Sequence, residues 1–125
     1  MNDVLLDAYL DGVNYFRLML GNGTSRTGFD VANQLPAARQ HGVVAEISRS
    51  TNRLAAILVG AAHFDVFGWF LPLNSPTVES ASQTVCDIYA SRGMSRVLRG
   101  GRDVTEGVRW NSTVDEHLAT FDRYK

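Results

Sequence analysis

The stretch Ser25–Thr51, SRTGFDVANQLPAARQHGVVAEISRST, decides how the chain is read. Thr27 and Asp30 make a capping-box-like Thr-x-x-Asp pair, which predicts a helix from there through about Gln40. Pro36 lacks an N–H and clashes with the preceding turn, so a kink or restart is expected at that point. Gly42 is a good C-cap residue. Val43–Ser48, VVAEIS, follows as a buried or half-buried strand, and Ser50-Thr51-Asn52 as a turn. A helix feeding a strand is half of a βαβ unit, so the fold depends on what flanks it.

On the N-terminal side, Asp3, Asp7, Asp11 and Asn14 recur at helical spacing and predict a short helix from about Asp3. Val13–Leu20, VNYFRLML, is β-branched and aromatic, and reads as a buried strand. Gly21-Asn22-Gly23-Thr24-Ser25 ends it as a loop. On the C-terminal side, Arg53–Val59 fits helix or strand equally, because periodicity cannot decide a short apolar run. Phe64–Leu71, FDVFGWFL, reads as a strand. The clearest helix comes next, with Ser75 as N-cap, Pro76 at the first position, and Val78, Ala81, Val85, Ile88 and Tyr89 on one face. Arg92-Gly93 closes it. A short strand at Arg96–Arg99, a turn at Gly100–Asp103 and a strand at Val104–Trp110 follow. Thr113–Glu116 is a second capping box, opening a last helix through about Asp122.

The resulting order predicts a single domain over residues 1–125 of the α+β class, a ferredoxin-like α/β sandwich of two split βαβ units. Such a sheet carries helices on one face. The aromatic run FDVFGWFL then implies that another subunit covers the open face, hence an oligomer.

Composition narrows the function. The 125 residues hold 12 basic and 13 acidic side chains, a net charge of −1, which gives no broad field for nucleic-acid phosphates. Apolar residues at 45% and charged residues at 20% describe an ordinary folded domain rather than a disordered one. One cysteine, Cys86, excludes an internal disulfide framework and multi-cysteine zinc sites. Residues 1–12 carry three aspartates and no basic residue, so no signal-peptide n-region is expected and the two sequons at Asn22 and Asn111 are read as accidental. The apolar run Leu54–Leu73 contains His63 and Asp65 at its centre, which argues against a membrane span. A cytoplasmic protein is expected, with no nucleic-acid or membrane partner.

Few residues carry chemistry by type alone. His41, His63 and His117 share no ligand spacing, so no metal is expected. Cys86 lies beside the apolar face of its helix and reads as a small buried hydrophobe. Nucleophile elbows and Gly-rich phosphate motifs are absent. The Gly21–Thr27 loop offers N–H groups and hydroxyls for a carboxylate, against the plainer reading of a connecting loop. Arg92, Arg96, Arg99, Arg102 and Arg109 crowd the last third, but interspersed acids favour an ion-paired surface over a phosphate patch. Glu46 stands apart inside the apolar VVAEIS strand. There it either faces water or has a cationic partner.

The Ser25–Thr51 stretch resembles the phage-encoded S-adenosylmethionine (SAM) lyases, long called SAM hydrolases. That family carries a Ser-Arg pair opening a helix, a Leu-x-Ala-Ala stretch, a glycine, and a strand ending in a glutamate before a Ser/Thr turn. Ser25-Arg26, Leu35, Ala37, Ala38 and Glu46 stand at the corresponding places. The unit VESASQTVCDIYASRGMSRVLRG is similar to the family's next helix and strand, and about two-thirds of the chain is covered. The resemblance implies a trimer with sites between subunits, and cleavage of SAM to 5′-methylthioadenosine and homoserine lactone without metal, cofactor or enzymic base. It assigns Glu46 to a positive charge of the substrate. By position in the chain, Ser25, Arg26 and Ser48 become substrate-contact candidates, and Tyr15 or Phe16 candidates to cover adenine or face the cation. Two other classes remain open: a trimeric, PII-like module that binds a small ligand without turnover, and a small phage or bacterial protein whose sheet docks a host partner.

Overall fold

The structure is a computed structural model that describes residues 10–12, 14–20, 36, 39, 42–73, 75–110 and 112–124. It contains a mixed five-stranded sheet of order β1-β3-β2-β4-β5, with β1 Tyr15–Met19, β2 Val43–Ile47, β3 Leu54–Gly60, β4 Ser95–Arg99 and β5 Arg102–Asp103. Three helices accompany it among the described residues: α1 Ala62–Phe67, α2 Val78–Ala90 and α3 Asp115–Tyr124. The chain is therefore α+β. The helix expected from Asp3, the loop Gly21–Ser25 and most of the helix expected over Thr27–Gln40 lie outside the described residues. Of the last, Pro36 and Arg39 are described, both with helical backbone.

β3 settles the ambiguity of Arg53–Val59. It pairs antiparallel with both β1 and β2, so it lies inside the sheet, and six of its seven positions are buried. A strand buried on both faces needs no polar alternation, which is why periodicity was silent. β1 and β2 flank β3, so the split pair forms around the segment that periodicity left open and not around the strand expected at Phe64–Leu71, and β4 pairs with β2 rather than β1. β4 lies outside β2 and parallel to it, which makes the sheet mixed.

The β2–β3 hairpin closes through Ser48. Its carbonyl accepts from Asn52 N–H at 2.8 Å, and its N–H donates to the Arg53 carbonyl at 2.8 Å. The Ser48 hydroxyl accepts from the Ser50 and Thr51 N–H groups at 3.2 and 3.4 Å. Asn52 sits at φ 58°, a left-handed conformation that asparagine tolerates better than most residues.

Two expected strands are absent. FDVFGWFL is not a strand: α1 runs to Phe67 and stops at Gly68, whose φ is 73° and whose N–H donates to the Phe64 carbonyl at 2.8 Å. His63, Phe64 and Phe67 follow helical spacing, and Gly68 is the left-handed stop. The strand expected at Val104–Trp110 is replaced by a 3₁₀ turn at Thr105–Gly107. Asp103 caps that turn, accepting from the Thr105 N–H at 3.0 Å and its hydroxyl at 2.6 Å. Thr105 Oγ1 in turn accepts from the Val97 N–H at 2.9 Å, so a side chain fills a ladder position. The Thr105 hydroxyl and N–H, with Arg96 nearby, hold the Asp103 carboxyl below its ordinary value.

α2 begins two residues later than Ser75 predicts. Thr77 is the N-cap, and its side chain accepts from Ser80 N–H at 3.0 Å. Ala81, Val85, Cys86 and Tyr89 pack against Val43, Ala45, Ile57, Val59 and Val97 of the sheet. Val78 remains 41% exposed, outside that face. Residues on the face away from α2 are also closed off: Val44, Ala56 and Leu58 are buried within the single chain. The aromatics of FDVFGWFL lie on α1 and the loop after it, so among the described residues they do not form the open aromatic sheet face on which the expectation of an oligomer rests.

Candidate functional site

Strand alternation places Val43, Ala45 and Ile47 towards α2 and sends Val44 and Glu46 to the opposite face. Glu46 is 3% exposed. Its cross-strand neighbours are Ala56 on β3 and Leu98 on β4, both buried. Glu46 does not face water, which removes the solvent-facing alternative. The β2–β3 register shifts immediately after it, between Glu46 and Ile47, as the strand approaches the Ser48 turn. A buried carboxylate costs several kcal/mol of lost hydration unless its surroundings answer the charge, on the order of other buried ions.

The remaining candidates do not gather round Glu46. Ser48 is 2% exposed, and its hydroxyl is engaged by the turn, including a 2.9 Å bond with Ser50 Oγ. Phe16 points into the core, edge-on to Phe64 and Phe70 with ring centroids 5.5 and 5.2 Å away. Its ring is thus enclosed by protein. Tyr15 shares the Glu46 face but pairs with Gly60, whereas Glu46 pairs with Ala56. Four strand positions and two strand spacings put them about 15 Å apart, too far to share one methionyl tail. Ser25 and Arg26 lie outside the described residues.

Tyr15 belongs instead to an open cleft of about 870 Å³ at the end of the sheet where β1 and β2 begin. Arg39 Nε donates to the Tyr15 hydroxyl at 3.3 Å. His63, Asp65, Tyr89, Phe121 and Tyr124 also line the cleft. His63 is 2% exposed, with Nε2 3.0 Å from the Phe70 carbonyl and Nδ1 2.7 Å from the Tyr89 hydroxyl. A carbonyl only accepts, so Nε2 carries the proton and Nδ1 accepts from Tyr89. Burial pushes the His63 pKa down to about 4, against a smaller opposing effect of the Phe70 carbonyl. Both ring nitrogens are used by the protein, making His63 a core group rather than a general base. Burial pushes the Tyr89 hydroxyl up in the same cluster. Burial, and then the charge of Asp87, push the Cys86 thiol up, so this fully buried sulfur is no nucleophile.

Among the described residues no group of three or more His, Cys, Asp or Glu is placed to hold a metal ion. No helix of the described residues is long and apolar enough to cross a membrane. Sequence reasoning missed a second depression of about 730 Å³, at the other end of the sheet, where Arg53, Arg99, Arg109 and Trp110 converge. Arg99 and Arg109 were visible in the crowd of the last third but Arg53 was not, and which of them pair with a carboxylate depends on tertiary placement. No protein-family model, curated protein or solved structure matches this chain.

Proposed function

We propose that the protein is an S-adenosylmethionine lyase of the ferredoxin-like α/β sandwich kind, working as a cytoplasmic homotrimer with Glu46 as its charged site residue. The observation that supports this is the burial of Glu46 between Ala56 and Leu98, at the position the Ser-Arg…Leu-x-Ala-Ala…Glu resemblance singles out. A carboxylate there contributes nothing by hydrophobic burial, and it suits a site that receives a cation.

The chemistry asks little of side chains. One carboxylate oxygen of the substrate attacks its own Cγ, the Cγ–S bond breaks, and the electron pair leaves with sulfur. A five-membered lactone and a neutral thioether result, with no proton transferred. Two charges of opposite sign, carboxylate and sulfonium, cancel as the bond forms. Low polarity therefore favours the transition state over the separated charges. Ala56 and Leu98, the cross-strand neighbours of Glu46, are apolar, which suits that requirement. A carboxylate held against the sulfonium would stabilise the reactant most and slow the step. The α-ammonium, by contrast, keeps its charge from substrate to product. Glu46 is assigned to it, as the anchor that folds the tail so the carboxylate can reach Cγ. Positioning of this kind supplies several kcal/mol of the barrier, up to about 7–11 kcal/mol in well-oriented cases.

The test is product identity. Purified protein incubated with SAM should yield 5′-methylthioadenosine and homoserine lactone by liquid chromatography and mass spectrometry. Homoserine from the earliest time point would replace the lyase by a hydrolase. Intact SAM would remove the enzyme reading in favour of a binding module.

A further inference from the structure

Four arginines of the last third separate into two groups once folded. Arg92 Nε donates to Asp122 at 2.9 Å, tying the end of α2 to α3, and Arg96 Nε donates to Asp103 at 3.3 Å. Arg99 and Arg109 make no ion pair among the described residues, and both line the groove at the C-terminal ends of β2 and β4. Arg109 is held in place by backbone: its Nη1 donates to the Glu106 carbonyl at 2.9 Å and the Val108 carbonyl at 3.0 Å. Those two bonds use both Nη1 protons. Among the described residues Nε and Nη2 make no hydrogen bond, so one edge of the guanidinium is fixed and its other donors are open. Arg53, at the same groove, makes a two-pronged pair with Glu79. Three guanidiniums thus face one carboxylate among the described groove residues. Trp110, half-buried against the core, forms part of the wall, with Asn52 and Gln83 adding amides.

We infer that this groove binds a small phosphate ester bearing a planar ring, of the nucleoside monophosphate type. Guanidinium forks match phosphate oxygens in pairs, and a restrained arginine loses little freedom on binding. An indole beside the charges offers a π-face to a ring. A volume of about 730 Å³ accommodates a ligand of that size. The groove opens on the α2 side of the sheet, whereas Glu46 lies on the opposite face, so this site stands or falls independently of the lyase reading.

The experiment titrates the protein separately with adenosine monophosphate, adenosine and inorganic phosphate, following binding by calorimetry and Trp110 by tryptophan fluorescence in wild type and Trp110→Phe. The monophosphate should bind, adenosine and phosphate should each bind at least about tenfold more weakly, and Arg99→Ala or Arg109→Ala should each weaken the monophosphate about tenfold or more. Phosphate binding as tightly as the monophosphate would overturn the ring half of the assignment, and adenosine doing so the phosphate half. Monophosphate affinity unchanged in Arg99→Ala and Arg109→Ala, with both variants folded by circular dichroism, would overturn the groove as the site of binding. Absence of monophosphate binding at millimolar concentration would overturn the site outright.

Discussion

At the end of the sheet where β1 and β2 begin, polar groups are turned inward and satisfied by the chain. His63 commits both ring nitrogens to Phe70 and Tyr89, and the aromatic rings of Phe67, Trp69, Phe70 and Tyr89 surround its own. At the other end, where β2 and β4 finish, Arg99 and Arg109 stand at a groove and Arg53 pairs across it with Glu79. At the first end, beside the open cleft, His63 and Tyr89 are satisfied within the chain and packed among aromatic rings. At the second, Arg99 and Arg109 carry charge that no carboxylate among the described residues pairs. Polar groups are thus not all equivalent as pointers to function: what matters is whether the protein itself satisfies them.

The comparison breaks first if the aromatic end proves dispensable. Phe70 is fully buried, packs edge-on against Phe16, and lends its carbonyl to His63. Phe70→Ala should cost about 3–5 kcal/mol of unfolding free energy in urea titrations. A loss near that of a surface substitution would mean this end is not the keystone.

Acidity probes the same end. His63 is neutral in both folded and unfolded chains above its ordinary value of 6.5. Below it the unfolded chain takes up a proton that the folded one refuses until about pH 4. Stability should therefore fall as pH drops from about 6.5 to about 4, by about 3 kcal/mol in all at 1.36 kcal/mol per unit. Urea unfolding at pH values on either side of that window should show this slope in the wild type and a flatter one in His63→Gln. Asp103 acts in a lower window, since its depressed carboxyl stabilises above the ordinary carboxylate range and loses that effect as pH falls through its lowered value.

Gly42 tests how closely the backbone must approach. Its φ is +88°, and an added Cβ would lie 2.5 Å from the Tyr89 ring. Gly42→Ala should destabilise by about 2 kcal/mol from backbone strain and the displaced ring. That loss would be visible as a lower thermal midpoint.

At the arginine end the expected effects on stability are smallest. Glu79→Gln opens a pair whose arginine is 59% exposed, and should change stability by less than about 1 kcal/mol. A larger loss would make the groove structural and close the distinction between the two ends.

Legibility in the sequence followed how locally each feature is determined. VVAEIS announced β2 by composition, and Glu46 by its mismatch with its neighbours. The apolar face of α2 was readable, but its cap shifted from Ser75 to Thr77 because Thr77 is the residue that reaches Ser80 N–H. FDVFGWFL misled because aromatic content suits both strand and buried helix, and the deciding residue was Gly68 as a left-handed stop. Val104–Trp110 misled because Asp103 and Thr105 hold a turn with side-chain bonds that no periodicity encodes. Tyr15 and Phe16 were neighbours in the chain, yet alternation sent one to a cleft and the other to the core. Distance within the site is a tertiary property, and there the sequence had no leverage.

The most direct test compares SAM turnover by wild type and Glu46→Gln, with circular dichroism and thermal melting to confirm that both are folded. This substitution keeps the shape of the side chain and removes its charge. The proposal predicts a folded variant whose release of methylthioadenosine falls about a hundredfold or more, the scale expected when a reacting group is no longer held in place. Wild-type turnover in a folded Glu46→Gln protein would contradict the assignment of the buried carboxylate to the substrate.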